Sequence, residues 1–123
     1  MNTRFDNNFW ITARGEVISV NELETDHAMN ILRMFVTKPT RTMAMILTDI
    51  ENSACYGGVW AVNASNARAQ SIRNVTSLST AELKEYALNS NLGRALASEL
   101  ERRGVNIVNI LNLYAAEAST IKE

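Results

Sequence analysis

The chain predicts a mostly helical α+β fold, with an N-terminal two-stranded β-hairpin packed on four to five helices. Three observations carry this. A short aromatic and β-branched run, Phe9 to Thr12, is followed by a glycine turn and a second such run, Val17 to Val20. Beyond Thr25 the apolar residues recur at i, i+3, i+4 and i+7, the period of a helix face. Helix punctuation then appears at Pro39, Ser79, Ser90 and Gly104.

The hairpin spans about residues 9–20. Ala13-Arg14-Gly15 forms its turn, where Gly15 can adopt a positive φ without steric cost. A lone hairpin is marginal in water, so it has to lie on helices. The residues before it, Met1 to Asn8, read as a loose polar tail pinned by Phe5. Thr25 reads as an N-cap, with Asp26 favourably placed against the helix dipole. Ile31, Met34 and Phe35 continue that helix to Lys38-Pro39. Pro39 lacks the N–H that the first turn leaves unused, so it can open the next helix. Met43, Ile46, Leu47 and Ile50 give that helix its stripe, from about 40 to 53. Met34 and Met43 fall on core stripes; Met29 and Met45 fall off them and are expected to form an exposed, pliable apolar patch.

From Cys55 to Thr76 the pattern is weak, and a helix is favoured over a strand and loop after the break at Tyr56-Gly57-Gly58. Ser79-Thr80-Ala81-Glu82 is a capping box, in which the serine and glutamate side chains each satisfy a free N–H. Leu83, Tyr86 and Ala87 share one face of the helix it opens. Asn89-Ser90-Asn91 interrupts that helix and caps another carrying Leu92, Leu96 and Leu100, with Arg102 and Arg103 favourable at its end and Gly104 as the stop. Ile107, Ile110, Leu111 and Tyr114 fit a closing helix.

Composition narrows the class of protein. The 123 residues fit a single domain, and an apolar fraction of 46% with 20% charged residues is enough for an ordinary core. Twelve basic and thirteen acidic residues leave a net charge of −1, which argues against attraction of the whole molecule to nucleic acid or an anionic membrane. One cysteine, Cys55, fits a reducing compartment, where it acts as a small hydrophobe rather than a nucleophile. No apolar run nears the roughly 18 residues of a membrane span, and the N-terminus lacks a signal-peptide core, so a cytoplasmic location is expected.

Chemistry-bearing patterns are few. His27 is the only histidine, and with one cysteine there is no second soft ligand to complete a metal site; none is expected, nor is any cofactor. His27 is read as structural, its imidazole packing against the hairpin and hydrogen-bonding backbone there, with Asn30 on the same face doing likewise one turn on. Arg33, Lys38 and Arg41 surround the joint between the first two helices and read as solvated charge. No catalytic residue emerges. The region richest in binding chemistry is Tyr56, Trp60, Asn63, Asn66, Arg68 and Arg73, where aromatics and amides accompany positive charge with no acid between Glu51 and Glu82.

Two stretches together carry a resemblance. Trp10-x-Thr12-x-x-Gly15-x-x-Ile18-x-Val20-x-x-Leu23, followed by His27-x-x-Asn30, resembles the opening of small proteins encoded by tailed phages, which begin with a W-T-x-x-G-x-x-I hairpin and an H-L-x-N helix. Leu96-x-x-Glu99-Leu100-x-Arg102-Arg103-Gly104 is similar to a helix ending in the same proteins. Leu23 and Ala28 depart from the usual methionine and leucine, and Thr40 to Asn89 has no counterpart. The resemblance implies structural roles for Trp10 and Gly15 in the hairpin. Beyond that it implies an origin and not a reaction. Taken with the small size, balanced charge and lack of catalytic patterns, it leads to the expectation of a small accessory protein in the bacterial cytoplasm that binds and modulates a host or defence protein and is not an enzyme. An enzyme resting on His27 is the least favoured reading. A nucleic-acid or nucleotide-binding module is the alternative, and a homo-oligomer is a further expectation from the methionine patch.

Overall fold

A computed structural model of the chain describes residues 3–52 and 69–120, and its architecture is mostly helical α+β with the two-stranded sheet at the N-terminus. β1 (Phe9–Ile11) pairs antiparallel with β2 (Val17–Ser19), and Trp10 lies opposite Ile18. Gly15 turns the hairpin at φ 84° with open space around it, so the backbone conformation alone asks for glycine. The helices follow: α1 (Thr25–Thr37), α2 (Pro39–Asn52), α3 (residues 69–76), α4 (Thr80–Asn89), α5 (Asn91–Arg102) and α6 (Ile107–Ala118). Residues 69–76 are thus helical; the rest of the helix expected across 55–76, with Cys55, Tyr56, Trp60, Asn63, Asn66 and Arg68, lies outside the described residues.

α1 is the central element. It packs on α2, α4, α5 and α6, and its buried face is Ala28, Ile31, Leu32 and Phe35. Leu83 and Ala87 of α4 and Leu92, Leu96 and Leu100 of α5 complete a core that Ile46 and Ile50 close from α2. Each of the leucine, isoleucine and phenylalanine side chains removed from water contributes about 1.5–3 kcal/mol. Met29 and Met45 are half-buried against this core along with Met34 and Met43, so the exposed methionine patch does not form. Flexible thioethers fill the margins of the helix packing instead.

Residues 3–8 are not a loose tail. A capped turn of 3-10 helix, Arg4–Asp6, starts at Thr3, whose hydroxyl accepts from the Phe5 N–H at 3.2 Å. Phe5 is 1% exposed and its ring meets Phe35 and Tyr86 at centroid distances of 5.5 and 5.8 Å. Arg4 is buried beside it. Its N–H and Nε donate to Asp49 Oδ2 at 3.0 and 2.9 Å, and its Nη2 donates to Oδ1 at 2.9 Å. Its Nη1 reaches the Ile11 carbonyl at 3.0 Å, and the guanidinium lies 5.0 Å from the Trp10 ring centre. One side chain therefore joins the N-terminal turn, the hairpin and α2.

The start of α1 also differs from expectation. Glu24, not Thr25, is the N-cap, and no side chain caps it. The Thr25 hydroxyl instead accepts from Arg103 Nη1 at 3.1 Å. Arg103 also donates to the carbonyls of Leu23 and Asn21, at 2.7 and 3.1 Å, while its Nε donates to Glu99 at 2.8 Å. Arg103 is thus a tether between α5 and the chain entering α1, beyond any favourable placement in the helix dipole.

The remaining joints match the sequence punctuation. Ser79 and Glu82 form the capping box. Ser90 ends α4 by donating to the Ala87 carbonyl at 2.6 Å and opens α5 by accepting from the Gly93 N–H at 3.0 Å. At Gly93 any Cβ would fall 2.8 Å from the Leu88 carbonyl oxygen and closer still to that of Ala87, so only glycine permits a one-residue joint. Gly104, at φ 91°, ends α5 in a Schellman arrangement: its N–H bonds the Glu101 carbonyl and that of Val105 bonds the Leu100 carbonyl.

Three measurements check this account. Asp49→Ala leaves the Arg4 charge buried without its counter-ion, and urea titration should show a loss of about 3–5 kcal/mol. Gly93→Ala should cost about 1–3 kcal/mol through forced displacement of α5, and Ala97→Gly on the same helix should not reproduce the effect through strain. Arg102, and after it Arg103, hold the Glu99 carboxyl at about 2, below its usual 4.5. A depressed folded pKa stabilises fully above 4.5 and ceases to do so as pH falls toward 2. The melting temperature of Glu99→Gln should therefore lie below that of the parent at neutral pH, with the gap closing between pH 4.5 and 2.

Candidate functional site

The helical period of α1 places Ala28, Ile31, Leu32 and Phe35 in the core, which turns the neighbouring row of His27, Asn30 and Met34 toward one flank. On that flank a groove of about 440 Å³ opens between α1, the start of α2, Trp10 of β1 and the end of α6. His27, Asn30 and Trp10 line it, with Ile31 and Met34 supplying apolar surface. Arg33, Lys38, Arg41 and Glu117 supply the charge. Lys38 is the C-cap of α1 and Arg41 lies in the first turn of α2, so the joint at Pro39 brings both to the same rim.

His27 and Asn30 do not have the structural roles read for them. Both side chains are exposed, and the imidazole makes no hydrogen bond among the described residues. The hairpin contacts that are seen come from Arg4 and from the burial of Trp10 and Val20. Trp10 is 7% exposed in β1, and Gly15 turns the hairpin at a positive φ.

The groove's electrostatics follow from its lining. Three permanent cations face one carboxylate, so the surface carries two positive charges in excess on a chain of net charge −1. Arg33 Nε donates to both oxygens of Glu117, at 3.1 and 2.9 Å, and Nη2 adds a third contact. That hydrogen bonding, with the positive fields of Arg33 and Lys38, lowers the Glu117 pKa, and Glu117 in turn raises that of Arg33. Lys38 and Arg41 have no ion-pair partner among the described residues. The signal for this cluster was present in the sequence: between Asp26 and Asp49 there are three basic residues and no acid. Glu117 had none, because it arrives from a helix 84 positions away from Arg33.

A larger cavity, about 670 Å³, lies where the N-terminal turn meets α4 and α5 and contains Asp6, Glu82 and Glu85. Local structure accounts for its acids. Asp6 accepts from the Thr3 N–H, Glu82 accepts from the Ser79 N–H, and Glu85 accepts from Asn89. Hydrogen bonding to Ser79 keeps the Glu82 pKa low. Among the described residues no group of three or more His, Cys, Asp or Glu is placed to hold a metal ion, and no helix is long and apolar enough to cross a membrane.

Of the residues read as a binding region, Arg73 is described. It is exposed on α3, its Nη2 donating to Gln70 at 2.8 Å, and it does not line the cationic groove. Compared with known proteins, the chain is matched by no family model, no curated protein and no solved structure. What the groove can do chemically follows from its residues. It offers positive charge beside apolar surface, with its one carboxylate held by Arg33 and the exposed His27 imidazole also in the lining.

Proposed function

We propose that the protein is a small phage-type accessory protein that acts without catalysis, by binding and modulating a bacterial host or defence protein in the cytoplasm. The observation that carries this reading is a convergence. Trp10, His27 and Asn30, three of the residues on which the phage-protein resemblance rests, line one open groove, and the last two are exposed there with no side-chain hydrogen bond among the described residues. Residues shared by pattern but not consumed by the fold are best explained by contact with something outside it.

Capture from bacterial lysate with the tagged protein, with and without nuclease, tests the reading. The expected result is a stoichiometric protein partner that survives nuclease and is lost from the Lys38→Glu, Arg41→Glu double variant. Recovery of nucleic acid alone, abolished by nuclease, would replace this reading with a nucleic-acid-binding one centred on Arg73 and its neighbours.

A further inference from the structure

Three features of the groove define the chemistry of its occupant. The first is the pair already in place: Arg33 grips a carboxylate with its Nε shared between both Glu117 oxygens, in a two-handed geometry that a planar carboxylate fits. The pair is open to water, with 50% of the Arg33 side chain and 33% of that of Glu117 exposed, and such pairs contribute little to stability. Exchange of one carboxylate for another at Arg33 is therefore cheap. The second is that Lys38 and Arg41 stand on the same rim with no ion-pair partner among the described residues. The third is the floor. Half-buried Met34, with only an edge of Ile31 reaching the groove beside it, gives apolar surface between these charges, which a bare inorganic anion would leave uncovered. A nucleobase finds little to stack on, because Trp10 is 7% exposed and Arg4 lies over its ring.

We infer that the groove takes an acidic peptide segment of the partner, its carboxylates bound by Lys38 and Arg41 and its apolar side chains laid against Met34. Glu117 is the internal stand-in for that ligand: it holds Arg33 until a carboxylate of the partner replaces it. This rests on the partner being a protein. It goes further by naming the chemistry of the contact and by making the end of α6 a competitor for the site.

The test is fluorescence anisotropy with a labelled Glu-Leu-Gly repeat peptide, its Gln-Leu-Gly counterpart, and inorganic triphosphate as competitor. The acidic peptide should bind, with affinity falling as salt rises, and the neutral one should not. Lys38→Glu with Arg41→Glu should weaken binding by at least about tenfold, since like charges then face the ligand. Arg14→Glu with Arg94→Glu, the same change in net charge at exposed positions off the groove, should leave binding within about twofold, as distant surface charges are screened. Glu117→Gln should tighten binding severalfold by releasing Arg33.

Equal binding of the neutral peptide, equal loss in both charge reversals, or no gain from Glu117→Gln would overturn the assignment. So would triphosphate displacing the peptide at matched charge concentration, which would make the groove a phosphate site. All three variants carry their substitutions at exposed or half-exposed positions, and their melting temperatures verify folding. A lysate partner still captured by the Lys38→Glu, Arg41→Glu variant sinks this inference and leaves the binding function standing. Peptide binding without a lysate partner does the reverse.

Discussion

The Arg4–Asp49 pair is the constraint on which the arrangement of the N-terminal half depends. Its side chains are 9% and 5% exposed, so each charge has been taken out of water and must be compensated within the fold. The charges are matched in one geometry, with Asp49 accepting from the Arg4 backbone N–H, Nε and Nη2 while Nη1 donates to the Ile11 carbonyl. Such a pair adds little net stability over an apolar substitute, because desolvation offsets the attraction. Its effect is selective: any other seating of the hairpin on α2 leaves a buried charge unmatched.

The groove inherits its shape from that seating. Arg4 pins Trp10 and the Ile11 carbonyl, which fixes the hairpin wall against the α1–α2 joint. The opposite wall is set by Pro39, whose ring starts α2 immediately after Lys38 and so carries Arg41 back to the rim of α1. Both walls are thus set by contacts within the fold itself.

Three arginines do comparable work with different energetics. Arg4 joins residues 45 positions apart in a dry site, and Arg103 ties the end of α5 to Asn21, Leu23 and Thr25 while half-shielded. Arg33 joins α1 to α6 in the open. Each exploits the planar fork of donors that a lysine lacks. Burial decides what each is for: the enclosed arginines hold the architecture, and the solvated one makes a contact weak enough to be exchanged.

Interactions reaching no further than one helical turn were legible in the chain. The Ser79–Glu82 box, the caps at Ser90 and Gly104, Pro39 opening α2 and the glycine turn at Gly15 all follow from local backbone chemistry, as does the i, i+3, i+4 stripe that made α1 and α2 helices. Those determine which residues are helix or strand, whatever the neighbours do. They do not determine which neighbours meet. Thr25 looked like a cap until Arg103 claimed its hydroxyl, Met29 and Met45 looked exposed until adjoining helices covered them, and His27 looked like a hairpin brace until Arg4 took that role. The tertiary structure alone decided these, because burial and pairing depend on contacts between residues far apart in sequence, and a local pattern carries no record of what will be packed against it.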